Sequence, residues 1–381
     1  MINSLSLLRM VRASKPVNSA LLFVTLISTG CASITTLPLI PSSVLASLPN
    51  PVATSEAQYR AYGDSITAGA TLSSSEKPYP AFVAEFKNVT YANNAISSDQ
   101  ACDIPIRQIF PNEDFPTLAT HPTYTILIGT NDVSQKEIGS YEAVFMLCQQ
   151  AAISWLAVPT EYKVLATGSG VTTTGTGAID GSNNWNAWTT GELGSTVSFT
   201  ITTGQAGPIY AWPRIIDGNP GTYTYSLDGV VVGSSTTQTT PSIATKNGSS
   251  NSLGFLRLPS VPAGTHVVTF TQTSSGANGL SVVGIGTPTK RTTDLLPTVL
   301  VGTIPYQEPP SPCASGSSNS PCQAYIQDIE IDVNLFAADG LNVRLFDTRK
   351  YMFGTAAEMN DVAHPNEFGQ YELSHAVEAS W

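Results

Sequence analysis

Three short segments carry side chains that together can move an acyl group. Gly63-Asp64-Ser65 offers a hydroxyl, and Asp361-Val-Ala-His364-Pro365 offers an imidazole with a carboxylate three residues before it. Gly129-Thr130-Asn131-Asp132 offers a side-chain amide. A serine hydroxyl is a weak nucleophile at its own pKa and needs a base beside it, and histidine is the side chain suited to that near neutrality. Asp361 would hold the other imidazole nitrogen, and the Asn131 N–H would stabilise a developing oxyanion. Each segment alone has a plain structural meaning. Asp64 would cap the next helix, and Asp-x-x-His-Pro would be a loop leading into another. Their joint occurrence, in this order, is what points to catalysis.

These segments must be held by regular elements. Gln58–Tyr62 predicts a strand ending at the Gly-Asp-Ser, Val89–Asn93 a second, and Tyr124–Ile128 a buried strand ending at Gly129. Apolar spacing predicts helices over Pro78–Lys87, Ser140–Leu156, Cys322–Ala338 and Glu367–Ala379. Pro297–Ile304 and Leu341–Phe346 complete the strands. Strands alternating with helices imply an α/β domain with a mainly parallel sheet, whose sites lie at the carboxyl ends of strands. Between about residues 160 and 290 the texture changes to Thr, Ser and Gly. Short alternating runs (Thr196–Thr202, Gly221–Leu227, Gly229–Gly233, Ser252–Leu258, His266–Thr273, Leu280–Gly286) are separated by turn signals such as Asp228-Gly229 and Asn247-Gly248. That is an antiparallel sandwich pattern. The expected division is an export signal at 1–32, a linker at 33–56, an α/β domain in two parts at 57–158 and 291–381, and a β-sandwich inserted at 159–290.

The segments with chemistry, together with Asn93-Asn-Ala-Ile-Ser-Ser-Asp99, resemble the four blocks of the GDSL (or SGNH) hydrolase family: Tyr62–Gly69, Asn93–Asp99, Ile128–Asp132 and Asp361–Asn366. The resemblance covers about half the chain, over residues 57–156 and 292–381. It implies a flavodoxin-like three-layer fold, a Ser65–His364–Asp361 triad, and an oxyanion hole built from the Ser65 amide, the Ser98 amide and the Asn131 side chain. It implies ester hydrolysis with no metal or organic cofactor. The family usually has glycine where this chain has Ser98.

The insert holds Trp185, Trp188, Tyr210, Trp212, Tyr223 and Tyr225. Aromatic faces on a sandwich either fill its core or stack on sugar rings. Core filling is the expectation for most, with Trp185, Trp188 and Trp212, beside Asp64, as candidate substrate contacts. Asp180, Asp217 and Asp228 are acids of the insert without the pattern of a dedicated calcium loop. His121, His266 and His375 are expected to be structural.

The N-terminus has Arg9, Arg12 and Lys15 before the apolar run Ala20–Ile27 and the small residues Ser28–Ser33, as in an exported protein. Cleavage after a Gly-Cys-Ala site and lipidation at Cys31 are two readings of that segment. The apolar run is too short to span a bilayer, and no other stretch qualifies. Four further cysteines, Cys102, Cys148, Cys313 and Cys322, suit disulfides in an oxidising compartment. If Cys313 and Cys322 close the loop between them, Cys102 pairs with Cys148. Asn88-Val-Thr90 and Asn247-Gly-Ser249 match glycosylation sequons. Charged residues are only 12% of the chain and the net charge is −11. Removing residues 1–32 takes three of the 17 basic residues and leaves 14 against 28 acidic. With no basic runs, nucleic acid is an unsuitable partner.

The expectation is a secreted or periplasmic serine esterase acting on carboxylic esters, with acetyl or other short acyl groups on a polysaccharide as the substrate class. An acyltransferase using the same triad, and a non-catalytic carbohydrate-binding surface protein, are the alternatives. Oligomeric state is open.

Overall fold

The computed structural model describes residues 57–381 apart from 136–139, 217–220, 237–250, 276–278, 289–293 and 316–320. The export signal, the linker, Cys31, Asp217 and the Asn247 sequon lie outside the described residues.

A parallel sheet positions the three segments with chemistry. Its strands are β1 (Tyr59–Gly63), β2 (Tyr91–Asn93), β3 (Thr123–Leu127), β16 (Thr298–Gly302) and β17 (Val343–Phe346), in the spatial order β2-β1-β3-β16-β17. Every pairing in it is parallel, with Gly63 level with Leu127 and Ala61 level with Asn93. Buried on both faces, these strands are built from Tyr, Ala, Ile, Leu and Val. Tyr59 and Ala61 point to one face and Tyr62 to the other, the two-residue period of a strand.

One face is covered by α2 (Tyr79–Lys87) and α6 (Glu367–Ser380), whose Tyr79, Val83, Leu373 and Val377 pack on Tyr59, Leu127 and Leu300. The other is covered by α4 (Ser140–Ala157) and α5 (Pro321–Ala338), whose Phe145, Ile153, Ile329 and Phe336 pack on Ile126, Val299 and Val343. The result is three layers. Two four- to six-residue helices, α1 (Ser65–Ala68) and α3 (Thr130–Gln135), start at the carboxyl ends of β1 and β3. Ile331 of α5 does not join that helix's apolar face and is 55% exposed.

Two antiparallel sheets follow α4. One has the order β11-β10-β14-β8-β5, with β5 Val171–Thr174, β8 Thr196–Thr203, β10 Thr222–Leu227, β11 Val230–Thr236 and β14 Gly264–Gln272. The other has the order β12-β9-β15-β7-β6, with β13 on β9 and β4 on β15. Its strands are β4 Lys163–Leu165, β6 Ala178–Asp180, β7 Ala187–Thr189, β9 Tyr210–Ile216, β12 Asn251–Leu253, β13 Leu256–Arg257 and β15 Ser281–Gly286. Phe199, Phe270 and Tyr223 of the first sheet share a core with Trp188, Ala211, Val282 and Ile285 of the second. The fold is therefore mixed α/β, with a parallel sheet and an antiparallel sandwich between its third and fourth strands.

Sequence periodicity misses β9, an interior strand of the second sheet. It contains Pro213, which ordinarily argues against a central strand. The pairing of β9 with β15 shifts register between Val282 and Gly284, beside Pro213, so the missing N–H falls at an irregularity in the ladder. The disulfides are Cys102–Cys148 and Cys313–Cys322. The first closes a 46-residue separation and ties α4 to the loop after β2. Chain entropy alone makes such a link worth about 4 kcal/mol.

Candidate active site

Strand β1 ends at Gly63, whose φ of 157° suits glycine. A Cβ there would collide with the Leu127 carbonyl oxygen and Thr67 Oγ1. The chain then turns into α1. Asp64 caps it, with Oδ1 accepting the Ile66 amide at 2.9 Å. Ser65 is the first helical residue, so its N–H has no acceptor within the helix. Its side chain is nearly covered, at 8% exposure.

His364 arrives on a pinched loop. The amide of Asn366 donates to the Glu358 carbonyl and that of Asn360 to the His364 carbonyl, both at 2.8 Å. Asn366 then caps α6, accepting the Gly369 amide at 3.0 Å. Asp361 Oδ1 accepts the amides of Ala363 at 2.9 Å and His364 at 2.8 Å, a local turn that aims the imidazole. His364 Nδ1 lies 2.9 and 2.8 Å from the two Asp361 oxygens, and Nε2 lies 3.0 Å from Ser65 Oγ. With Nδ1–H donating to the carboxylate, the neutral ring has its lone pair on Nε2, facing the Ser65 hydroxyl. Burial pushes the Asp361 carboxyl upward, but the Ala363 amide and the ring and amide of His364 outweigh it and hold it below its ordinary value. Asp361 therefore stays charged at neutral pH, although 47% of its side chain is exposed.

Two contacts lock the serine and histidine segments together. Gln370 of α6 donates to the Ile66 carbonyl at 2.9 Å and accepts the Tyr79 amide at 2.8 Å. Asn360 Nδ2 donates to Thr71 Oγ1 at 3.1 Å.

The loop after β2 turns tightly, with the Asp99 amide donating to the Ile96 carbonyl at 3.2 Å. Ser98 occupies the left-handed position of that turn at φ 69°. This is why glycine suits the site; a serine there costs about 1 kcal/mol. The Ser98 N–H has no hydrogen-bond partner among the described residues. Asn131 Nδ2 donates to the Asp99 carbonyl at 2.9 Å, which fixes the amide and leaves its second N–H uncommitted among the described residues. Gly129, at φ 120°, lets β3 end against Ile304 and Phe145.

Beneath this loop lie the buried carboxyls of Asp132 and Asp99, to which the sequence assigns no role. Both oxygens of Asp132 accept the Ala101 amide, at 3.3 and 3.2 Å. Asp99 pairs with Arg107 and accepts Gln108 Nε2 at 2.8 Å. Burial pushes Asp132 to about 8, Asp64 to about 7 and Asp99 to about 6. Asp99 and Asp132 lie inside the motifs, but nothing in the sequence marks them as buried, and Gln108, Asn360 and Gln370 carry no signal at all.

Four candidate substrate contacts need correction. Asp64 is 1% exposed and is a helix cap. Trp185, Trp188 and Trp212 are 3%, 4% and 0% exposed, so no ring face is open to a sugar. Trp188 belongs to the sandwich core. The other two build the contact between sandwich and helices. Trp212 lies edge-on to Trp155 of α4 at 5.1 Å and donates to Ser154 Oγ at 2.9 Å. Trp185 meets Phe110 at 5.9 Å, and Tyr210 and Phe255 meet Phe336 of α5 at 5.8 and 5.4 Å. Lys163 lies 4.3 Å over the Trp155 ring and donates to its carbonyl at 2.7 Å. Burial lowers its pKa well below the ordinary lysine value.

No group of three or more His, Cys, Asp or Glu among the described residues is arranged to hold a metal ion. Asp180 pairs with Arg214 at 3.0 Å and Asp228 with His266 at 2.8 Å. His375 stacks on Phe86 at 5.7 Å, and His121 is exposed. No described helix is long and apolar enough to cross a membrane.

No family model matches the chain, and no curated protein matches it. Among solved structures, a two-domain esterase (CEX) active on acetylated mannans, co-crystallised with mannopentaose, aligns at 13% identity over 60% of this chain and 89% of that one, with a TM-score of 0.33. A CBM35 module from Cellvibrio japonicus Abf62 aligns at 15% identity over 32% of this chain and 90% of that one, with a TM-score of 0.25. A family GH115 4-O-methyl-alpha-glucuronidase with specificity for decorated arabinogalactans aligns at 13% identity and a TM-score of 0.24, over 30% of this chain. This chain spans 16% of the glucuronidase's length. At these scores none of the three bears on what this chain does.

Proposed function

We propose that this protein is an exported serine esterase of the GDSL (SGNH) type, with Ser65 as nucleophile, His364 as general base and acid, and Asp361 orienting the imidazole. The observation that carries the reading is the 3.0 Å approach of His364 Nε2 to Ser65 Oγ between residues 299 apart, with Asp361 on the opposite ring nitrogen. The strand order supports it. Numbered along the parallel sheet alone it is 2-1-3-4-5, the flavodoxin-like order, whose switch point falls between β1 and β3, where Ser65 and Asn131 sit. On this reading residues 57–158 and 291–381 form the catalytic domain, residues 159–290 form the inserted sandwich, and residues 1–32 direct export.

In the first half-reaction Ser65 Oγ attacks the ester carbonyl while His364 Nε2 takes its proton. The tetrahedral oxyanion receives N–H donors from Ser65, Ser98 and Asn131. His364 returns the proton to the leaving alcohol, and the acyl group stays on Ser65. Water then attacks that acyl-enzyme, giving its proton to His364, and the acid departs as Ser65 recovers its hydrogen. The ionised Asp361 stabilises the imidazolium in both halves. Short acyl esters on carbohydrate are the proposed substrate class, in keeping with the export signal. The direct test is stoichiometric labelling of the protein by diethyl p-nitrophenyl phosphate with the adduct located by mass spectrometry. A single adduct on Ser65 is expected; an unlabelled protein, or an adduct elsewhere, overturns the reading.

A further inference from the structure

Resting on that esterase reading, we infer that Gln108 is a positioning residue for the oxyanion hole, coupling the backbone before Ser65 to the turn that carries Ser98 and supports Asn131. Gln108 lies on a wide helical turn over Ile104–Ile109, closed by the Phe110 amide on the Pro105 carbonyl. Its side chain is wholly buried. Oε1 accepts the Gly63 amide at 3.0 Å, while Nε2 donates to the Gly63 carbonyl at 2.8 Å and to Asp99 Oδ2 at 2.8 Å. One acceptor and two donors are therefore all matched. The amide cannot be reversed, because that would turn its NH2 onto the Gly63 N–H.

The geometry explains why a side chain is needed here. Beyond Asn93 the chain leaves β2, yet the Asn94 amide still reaches the Ala61 carbonyl at 2.8 Å and the Ile96 amide the Gly63 carbonyl at 3.1 Å. The ladder continues on the carbonyl side, and the Gln108 amide meets the Gly63 N–H as a strand peptide would. It thereby fixes Gly63, two residues before the nucleophile. Its third bond fixes the Asp99 carboxylate, which also pairs with Arg107. Asp99 directly follows Ser98, and its own carbonyl receives the Asn131 amide at 2.9 Å. One buried side chain thus touches the supports of all three proposed donors while touching neither Ser65 nor His364. Oxyanion donors act only when they stand within a few tenths of an ångström of the developing charge, and removal of one typically lowers kcat by about 10²–10³.

The test is Gln108→Met, which keeps length and volume and removes all three bonds, with Gln108→Glu as a second variant that keeps the acceptor for Gly63 and loses the donors. Each is measured on p-nitrophenyl acetate, with rates expressed per site titrated by diethyl p-nitrophenyl phosphate, and with the Ki of a short alkyl boronic acid, whose adduct on Ser65 places an oxygen in the oxyanion hole. The expected result is a fall of about 10- to 100-fold in kcat per titrated site, KM within about threefold, and a Ki weakened in step with kcat. A purely structural Gln108 would lower the titratable fraction or the Tm while leaving kcat per titrated site and Ki within about twofold, and that result overturns the inference. If Gln108→Met does not yield folded protein, the same two outcomes are read from Gln108→Glu. Absence of titration in the wild type would instead defeat the esterase reading itself, so the two failures are distinguishable.

Discussion

The parallel sheet and the sandwich use their conspicuous residues in opposite ways. In the parallel-sheet half, small polar residues at strand ends are brought together by backbone constraints: Gly63 where only glycine fits, Asp64 capping α1, Asp361 turning the chain under His364. In the sandwich, the largest residues are covered. Trp185 faces the segment around Phe110, Trp212 faces α4, and Trp188 fills the sandwich interior. Short polar motifs report local backbone geometry, so they can be read in place. An aromatic side chain reports only that it needs a large apolar neighbour, and the neighbour can be another domain as easily as a ligand.

Substitutions in the two regions should have opposite effects on activity and stability. The largest expected effect is on the polar side. His364→Ala should lower kcat on p-nitrophenyl acetate by about 10³- to 10⁴-fold with little change in Tm, as expected for loss of a general base; a loss of stability with activity per folded molecule preserved would make His364 structural. Trp212→Ala should do the reverse. Truncating a fully buried indole costs about 3–5 kcal/mol, measured by urea unfolding, with KM for small esters unchanged. Stability kept while carbohydrate binding is lost would restore the sugar-contact role. Asn131→Ala should lower kcat by about 10²- to 10³-fold at nearly constant KM. That loss is smaller than for His364, because the two proposed backbone donors remain.

The smallest effect concerns the buried acids. Asp132, Asp64 and Asp99 are raised to about 8, 7 and 6, with burial the leading cause in each. The folded state therefore binds more protons than the unfolded chain between about pH 4, the ordinary aspartate value, and these raised values. Because stability changes with pH as unfolded minus folded protons bound, their contribution is full below about pH 4 and declines as pH rises through about 6–8. Tm should accordingly fall between pH 5 and 8, and Asp132→Asn should flatten that slope. A slope unchanged by the substitution would remove Asp132 from this cluster.

Much of this molecule is legible in its sequence. The strands ending at Gly63 and Leu127 show as short runs of strand-forming residues because both their faces are buried, and the helices over Tyr79–Lys87 and Glu367–Ser380 follow from apolar spacing because each buries one side on the parallel sheet. Motif order leads one to expect Ser65 beside His364, and the two lie 3.0 Å apart. Other parts were illegible for physical reasons. Strand β9 was hidden by Pro213, which is tolerated only because the β9–β15 ladder is irregular beside it. Gln108 was invisible because its importance lies in a long-range match to the Gly63 peptide, and no local pattern encodes that. The left-handed backbone of Ser98 was concealed by a residue type that takes it at a cost.

The central claim, that Ser65 is the nucleophile of an ester hydrolase, is tested most directly by the initial rate of p-nitrophenyl acetate hydrolysis by the wild-type chain and by Ser65→Ala. The expected result is clear turnover by the wild type and a fall of at least about 10³-fold in the variant. Equal rates for the two proteins would contradict it.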